Sequence, residues 1–210
     1  MNADPRPVVI VFARVPRLGA VKTRLSIGIG MLGAYQFYVR NTNQLVRRLA
    51  SDGRWDVDLC LTPDPVRGVR RIWPSAVSLS LQGRGDIGTR MERAISRYPD
   101  RKVILIGSDI PDIQNSDIAS GFAAMRGRDL VFGPSKDGGY WLTGVRAGFL
   151  ARGLYDNVRW SGPYALSDTL RNSQGKSVTL LRELYDIDDL KSFKDWKISK
   201  AQNMNPKIIF

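Results

Sequence analysis

Apolar residues along this chain fall into short continuous runs and into longer stretches where they recur every three or four positions. The runs predict buried strands at residues 8–13, in WDVDLCLT and in KVILIG. The recurring pattern predicts helices over residues 32–50, in GRGDIGTRMERAISRY, and after Asn115 or Ser116, whose side chains can cap a helix start. Strands therefore alternate with helices from the start of the chain.

The rest of the chain adds further strands and one more helix. Strands are predicted at residues 76–82 and in DLVFGP, YWLTGV and SVTLL, with a last helix near residues 190–201. Strands separated by helices indicate an α/β domain with a mainly parallel sheet and helices on both faces, of the doubly wound kind. The 210 residues, 43% of them apolar, suffice for one core, so we expect a single domain over residues 1–200 and a loosely held tail over 201–210.

The composition restricts the available chemistry. The chain has no histidine and one cysteine, Cys60, which lies in an apolar run. This excludes an intrachain disulfide, the Ser-His-Asp and Cys-His nucleophile systems and the usual zinc ligands. Any metal should be a hard cation held by oxygen, such as Mg²⁺ or Mn²⁺. The run at residues 8–13 is too short for a membrane span and lacks a signal-peptide pattern, so we expect a cytoplasmic protein.

The formal net charge is +12, and much of it lies near the start of the chain. A basic surface suits nucleic acid, an anionic membrane or a phosphorylated small substrate. The sequence lacks basic residues interleaved with aromatics and lacks a nucleic-acid-binding motif, so nucleic acid is the weaker alternative. Residues 1–50 hold one acid, Asp4, and these basic residues: Arg6, Arg14, Arg17, Lys22, Arg24, Arg40, Arg47 and Arg48.

The stretch FARVPRLGAVKTRL joins the first strand to the next helix and carries Gly19, Lys22 and Arg24. It is not a P-loop, because Val21 and Pro16 stand where that motif requires glycine. Two long cations beside a helix start can still hold an anion, since their charge and the helix dipole act together. A solvated basic loop is the equal alternative. If the loop does hold an anion, Lys22 and Arg24 are the expected contacts, and Arg14 and Arg17 are expected to be solvated neighbours.

Acidic residues follow later strands, at the edge where open α/β sheets bind ligands. Asp109 comes directly after KVILIG, Asp137 opens the DGG segment, and Asp186 and Asp188 lie in YDIDD. A turn or a helix start would account for each of them alone. Together at one edge of a sheet they form a candidate site.

The ordered set of motifs resembles the DUF2064 family of bacterial proteins, within the nucleotide-diphospho-sugar transferase superfamily. The resemblance implies a GT-A type fold, in which a Rossmann-like, mainly parallel sheet binds a nucleotide near its amino-terminal half and a divalent metal near its centre. The matching motifs span roughly residues 8–196 and are FARVPRLGAVKTRL, QGRGDIGTRMERA, LIGSDIPDI, GPSKDGGYWLTGV, VRWSGPYALSDTL and LYDIDDL.

The resemblance also assigns roles to individual residues. It implies that Lys22 and Arg24 hold the phosphates of a nucleotide and stabilise charge during catalysis. Asp109 and Asp188 are similar to the ligands of Mg²⁺ or Mn²⁺. The chain departs from the family pattern after Asp188, which leaves open whether Asp186 or Asp188 faces the metal. The nucleotide-binding residues implied in this way are Gly19, Lys22, Arg24, Gln82, Gly83 and Gly88, with the last three lying against the base.

The implied function is metal-dependent transfer from a nucleotide-activated donor, with two chemistries open. In nucleotidyl transfer, favoured by the KTR segment, a phosphorylated or carboxylate acceptor attacks a nucleoside triphosphate. In glycosyl transfer the donor is a nucleotide sugar, and Asp137 acts as the base or orients a sugar hydroxyl. Tyr140 and Trp141 keep the second chemistry open, although core packing is the favoured role for Trp141.

The partners that we expect are a nucleotide or nucleotide sugar and a small-molecule acceptor, with the oligomeric state left open. The alternatives outside catalysis are a sensor that only binds a nucleotide and a nucleic-acid-binding protein. An enzyme is favoured over a sensor because the chain has all four of the implied phosphate-binding and metal-binding residues: Lys22, Arg24, Asp109 and Asp188.

Overall fold

The computed structural model describes residues 5–64 and 73–204, and its helices and strands alternate as the sequence predicts. In chain order they are β1 (Val8–Arg14), α1 (Thr23–Ala50), β2 (Asp56–Thr62), β3 (Ser78–Leu81), α2 (Ile87–Ile95), β4 (Val103–Gly107), α3 (Asn115–Ala124), β5 (Leu130–Pro134), β6 (Tyr140–Val145), α4 (Ala165–Asn172), β7 (Val178–Leu180) and α5 (Leu190–Met204).

The strands of these residues form one seven-stranded sheet in the order β3-β2-β1-β4-β6-β5-β7. Neighbouring strands are parallel except where β6 pairs with β4 and β5. The five residues 135–139 connect β5 to β6, and a connection that short can only reverse the chain, whereas parallel neighbours need a long crossover. The predicted mainly parallel α/β fold is confirmed.

Two apolar clusters cover the two faces of the sheet. In β1, Val9 and Val11 pack on the side of α1 and α3, while Val8 and Ile10 pack on the side of α2 and α4. Successive side chains of a strand point to opposite faces, so a strand covered on both sides needs apolar residues throughout. The continuous run of the first strand is explained by this burial.

The first helix is longer than the sequence pattern indicates. It begins at Thr23 instead of near residue 32, and Gly30 interrupts it with φ 76° and ψ 157°. Glycines at positions 28, 30 and 33 obscure the apolar spacing. Leu25 and Ala34 are nevertheless buried, because α5 packs over this part of α1 through Phe193 and Trp196.

The end of the chain also differs from the sequence pattern. The last helix continues to Met204, so the predicted tail of residues 201–210 begins inside α5, and its residues 205–210 lie outside the described range. The short helix α4 was not predicted, because eight residues are too few for a clear apolar repeat.

The order of the strands changes direction at β1, whose neighbours are β2 and β4. Ligands of open α/β sheets bind beyond the carboxyl ends of the strands at such a point. Here those ends are Arg14 and Gly107, followed by the KTR loop and by Asp109. Across residues 5–64 and 73–204, no helix combines the length and apolarity that crossing a bilayer requires.

Candidate functional site

A cavity of about 590 Å³ opens between the carboxyl ends of β1 and β4. Its wall combines the loop after β1, the residue after β3, the first turn of α2, and two acids from distant parts of the chain. Four basic side chains and two carboxylates therefore meet at the point where the fold is expected to bind a ligand. The polar and charged residues of the wall include Arg14, Lys22, Thr23, Arg24, Gln82, Arg90, Ser108, Asp109 and Asp188.

Lys22 lies at the centre of the charged cluster. Its Nζ is 2.6 Å from Oδ1 of Asp188 and 3.1 Å from Oδ1 of Asp109, and its side chain is only 4% exposed. The two carboxylates are about half exposed and come from loops far apart in sequence. One buried ammonium group thus joins the loop after β1, the end of β4 and the segment before α5.

The charges in this cluster support one another. Burial alone would lower the pKa of Lys22, but Asp109 and Asp188 outweigh it and raise that pKa above its ordinary value. Burial likewise opposes ionisation of Asp188, and the ammonium group of Lys22 holds the pKa of that carboxyl below its ordinary value. Both groups are therefore charged at neutral pH.

The carboxylates converge as hard-cation ligands would, although they are few. Among the described residues, no group of three or more acidic or cysteine side chains is arranged to hold a metal ion. Oδ1 of Asp109 is buried and has no hydrogen-bond partner, and its contact with Lys22 is an ion pair without hydrogen-bond geometry. Because Mg²⁺ commonly takes one or two carboxylates and completes its shell with water and substrate phosphates, Asp109 and Asp188 fit it.

Asp186 lies on the other side of Asp188. Burial, followed by the charge of Asp188, raises the pKa of Asp186 to about 6. Asp186 faces a second cavity, of about 380 Å³, while Asp188 faces the first. Asp109 borders both cavities, so the two spaces adjoin at that residue.

The second cavity has aromatic walls and acidic residues. Tyr140, Trp141 and Trp160 line it together with Asp137, whose Oδ1 accepts a 3.0 Å hydrogen bond from the amide of Gly139. Trp141 is also buried against the backbone at Gly133, as its favoured packing role implies. Nε1 of Trp160 is buried and makes no hydrogen bond within the described part of the chain.

The residues implied to lie against a base have different surroundings. Gln82 lines the first cavity, and its side-chain amide donates a 3.0 Å hydrogen bond to the carbonyl oxygen of Cys60. Gly83 and Gly88 are not among the residues that line it. Gly88 instead packs so closely that an added Cβ would lie 2.9 Å from both Trp160 and Tyr155. The structure therefore gives Gly88 a packing role that the sequence does not suggest.

Only some of the residues predicted in the stretch FARVPRLGAVKTRL line the first cavity. Arg24 lines the first cavity, whereas Gly19 forms a turn with φ 75° outside it. Arg14, which the sequence leaves as a possible surface residue, also lines the cavity, and Arg17 does not. The cavity therefore takes its cations from both ends of the loop.

Arg90 is a lining residue that the sequence analysis did not single out. Its guanidinium group donates a 3.3 Å hydrogen bond to Oε1 of Gln82 and so turns toward the first cavity. The signal for it was present, because Arg90 and Arg93 recur at helical spacing on the polar face of α2.

The family comparison agrees with the motifs. Residues 45–162 match the model of DUF2064, described as "Uncharacterized protein conserved in bacteria". None of the curated proteins compared matches the chain.

Solved structures share the fold. A proposed nucleotide-diphospho-sugar transferase from Desulfovibrio desulfuricans G20 is 25% identical with a TM-score of 0.83, covering 97% of this chain and 89% of its own. CMP:2-keto-3-deoxy-manno-octonic acid synthetase complexed with CTP is 12% identical with a TM-score of 0.59, covering 95% of this chain and 100% of its own. Rv0371c from Mycobacterium tuberculosis H37Rv, in complex with manganese, is 16% identical with a TM-score of 0.55, covering 91% and 97% respectively.

Proposed function

This chain belongs to the DUF2064 family, and we propose that it is a metal-dependent transferase that acts on a nucleotide-activated donor. The observation that carries the proposal is the cavity at the change of strand order, where basic side chains surround Asp109 and Asp188. The Desulfovibrio protein, a proposed nucleotide-diphospho-sugar transferase, and the CTP bound to the synthetase support the same class of substrate. The first cavity is therefore the proposed nucleotide site.

The phosphates of the nucleotide would lie among the cations of this cavity. Lys22, Arg24 and Arg90 border it from two different elements, so they can contact more than one phosphate group. Arg14 adds a further positive charge at the end of β1. Gln82 borders the part of the cavity beside β2, where we propose that the base lies.

Asp109 and Asp188 would hold Mg²⁺ or Mn²⁺, and the manganese in the Mycobacterium structure supports this choice. When bound, such an ion neutralises charge on the phosphate oxygens. The protein's own contribution is to hold both carboxylates against the same ammonium group, Asp109 from the end of β4 and Asp188 from the segment before α5.

Nucleotidyl transfer is the chemistry that the first cavity supports best, because its several cations suit a triphosphate. An acceptor oxygen would attack the α-phosphorus, the bond from that phosphorus to the bridging oxygen would break, and pyrophosphate would leave. Lys22, Arg24 and Arg90 would stabilise the negative charge that develops on the leaving group. The proton of a hydroxyl acceptor would pass to a carboxylate such as Asp137.

Glycosyl transfer is the second candidate, and the second cavity favours it. Three carboxylates (Asp109, Asp137 and Asp186) line that cavity, and no lysine or arginine does so within residues 5–64 and 73–204. A phosphorylated or carboxylate acceptor would be repelled there, whereas a sugar ring could contact Tyr140 and Trp160. This argument favours an uncharged acceptor over the anionic acceptor expected from the sequence.

A thermal-shift panel separates these possibilities. The protein is heated with Mg²⁺ or Mn²⁺ and a nucleoside triphosphate, a nucleotide sugar, or a random DNA duplex. Stabilisation by triphosphates alone supports nucleotidyl transfer, and stabilisation by nucleotide sugars supports glycosyl transfer. Salt-sensitive stabilisation by DNA and by neither small ligand would contradict the proposal.

The role of the carboxylates is tested by Asp109→Asn. The substitution keeps the shape of the side chain and removes its charge, so metal-dependent nucleotide binding should be lost while the fold stays intact. Isothermal titration with each nucleoside triphosphate in the presence of Mg²⁺ measures this. Unchanged metal-dependent binding would show that Asp109 is not a metal ligand.

A further inference from the structure

The ammonium group of Lys22 occupies the place that a divalent ion would need. It contacts Oδ1 of Asp109 and Oδ1 of Asp188, at 3.1 and 2.6 Å, and these atoms belong to the two carboxylates that the proposed function gives to the metal. The lysine side chain is almost completely buried between them. A metal ion bound to these same oxygens would displace Nζ or share its space.

The local charges make sharing unfavourable. The two carboxylates carry two negative charges, and the ammonium group already neutralises one of them. Arg24 lies near enough to Asp188 to lower its pKa further, and Arg14 and Arg90 border the same cavity. A divalent ion entering beside this ammonium group would be repelled, because the lysine side chain is only 4% exposed and solvent screens its charge little.

Lys22 is held in place mainly by these ion pairs. It precedes the first helical residue of α1 with φ 50°, a left-handed backbone conformation that is unfavourable for a residue with a side chain. Its side chain makes no capping bond to the helix. A polyphosphate in the first cavity would offer the ammonium group other oxygen partners, next to Thr23 and Arg24.

Resting on the proposed function, we infer that Lys22 competes with the divalent metal for Asp109 and Asp188, and that a nucleotide polyphosphate lets the metal bind by drawing the ammonium group away. Metal and nucleotide then bind with positive coupling. By linkage, each raises the affinity for the other by the same factor. The free protein keeps its carboxylates neutralised without a metal.

The test compares wild-type protein with Lys22→Met, which retains a long side chain without the charge. Mn²⁺ affinity is measured by isothermal titration, and free Mn²⁺ by electron paramagnetic resonance, with and without a non-hydrolysable nucleoside triphosphate. In the absence of nucleotide, Lys22→Met should bind Mn²⁺ about tenfold or more tightly than wild type. The enhancement of Mn²⁺ binding by nucleotide should shrink in the variant.

Arg90→Met is the matched control, because it removes a cation from the same cavity that does not contact Asp109 or Asp188. It should leave Mn²⁺ affinity without nucleotide close to the wild-type value. An equal gain in both variants would overturn the inference, since the general positive field of the cavity would then explain the effect. An unchanged or weaker affinity in Lys22→Met would also overturn it.

A measurement on the wild-type protein covers the case in which Lys22→Met does not fold. In the free protein, the ammonium protons of Lys22 should be protected from exchange with water. The ¹⁵N chemical shift of this group should change little when Mg²⁺ alone is added. It should shift when Mg²⁺ and the triphosphate are added together. A full shift with Mg²⁺ alone overturns the inference.

The two proposals can fail separately. A protein that binds no nucleotide, but whose Lys22→Met variant binds Mn²⁺ more tightly, contradicts the proposed function and supports the competition. A protein that binds nucleotide with metal, but whose Mn²⁺ affinity does not respond to Lys22→Met while that variant stays folded, supports the function and overturns the competition.

Discussion

The hydroxyl group of Tyr38 makes two hydrogen bonds with the backbone of Arg14. It accepts from the amide nitrogen at 2.7 Å and donates to the carbonyl oxygen at 2.8 Å. One turn further along α1, the side-chain amide of Asn41 donates to the carbonyl oxygen of Ser108 at 2.8 Å. Two side chains of α1 therefore fix the ends of β1 and β4, between which the first cavity opens.

Tyr38→Phe should loosen the end of β1. It removes both bonds to Arg14 and leaves a backbone amide and carbonyl partly buried without a partner, which should cost about 1–2 kcal/mol of unfolding free energy. Nucleotide affinity should fall with it, because Arg14 lines the cavity. Urea unfolding and isothermal titration measure the two effects.

Tyr35→Phe is the control for this prediction. Tyr35 lies on the same helix and is only partly buried, and its hydroxyl makes no hydrogen bond in the part of the chain that the structure describes. Its loss should change neither stability nor affinity. If Tyr38→Phe behaves like Tyr35→Phe, the contacts with Arg14 do not support the site.

Arg24→Ala should weaken the binding of triphosphates by about tenfold, because one charge-assisted contact to phosphate is lost. Binding of the free nucleoside should stay the same, since Arg24 borders the part of the cavity assigned to phosphate. Arg17→Ala is the matched control, because Arg17 is an exposed arginine of the same loop that does not line the cavity. Equal losses for both variants would mean that the arginines act only through long-range attraction, which high salt would abolish.

Gly88→Ala tests whether that glycine serves packing. A methyl group there would lie 2.9 Å from the carbonyl oxygen of Tyr155, a backbone atom that cannot turn aside. We expect a loss of about 1–3 kcal/mol in unfolding free energy and a displaced α2. Gly53→Ala is the control, because nothing lies within 4 Å of an added Cβ at that position. If Gly88→Ala is as stable as the wild type but binds nucleotide more weakly, Gly88 has the base-contacting role that the resemblance implies and not a packing role.

The sequence predicted most clearly the strands in which every residue must be buried. The strands β1 and β4 are covered on both faces, so each appears as an unbroken apolar run and is predictable from the sequence. The rule that ligands bind beyond strand ends then placed Lys22, Asp109 and Asp188 in one region. The structure places all three in one charged cluster.

The finer features depend on packing between distant parts of the chain. Nothing in the spacing of YDIDD indicates that Asp188 turns to Lys22 while Asp186 turns to the second cavity. The early start of α1 depends on cover from α5, the last helix of the chain, which begins at Leu190. The contact between Arg90 and Gln82 likewise joins α2 to the end of β3 across a turn.

Asp58 provides a test of buried charge away from the site. Its side chain is 1% exposed in β2, and its Oδ2 accepts hydrogen bonds from Ser80 at 2.8 Å and Tyr98 at 3.0 Å. Its Oδ1 has no hydrogen-bond partner within the described residues. Burial is the largest influence and raises the pKa of Asp58, against the opposing hydrogen bonds and the charge of Arg97. Asp58→Asn should therefore be more stable than the wild type at pH 7, because the wild type must ionise a buried carboxyl group there.

The stability of Asp58→Asn relative to the wild type should increase as the pH rises. Below the pKa of an unfolded aspartate both states hold the proton, so the wild type carries no penalty there. As the pH rises, the unfolded chain releases this proton first, and wild-type stability falls relative to Asp58→Asn until the folded protein also ionises. Urea unfolding of both proteins from about pH 3 to pH 8 measures this. The unfolding free energy of Asp58→Asn should exceed that of the wild type by a margin that grows with pH and then stays constant. A variant that is less stable at pH 7, by a margin that widens as the pH rises, would show that the ion pair with Arg97, at 3.9 Å, outweighs the cost of burial.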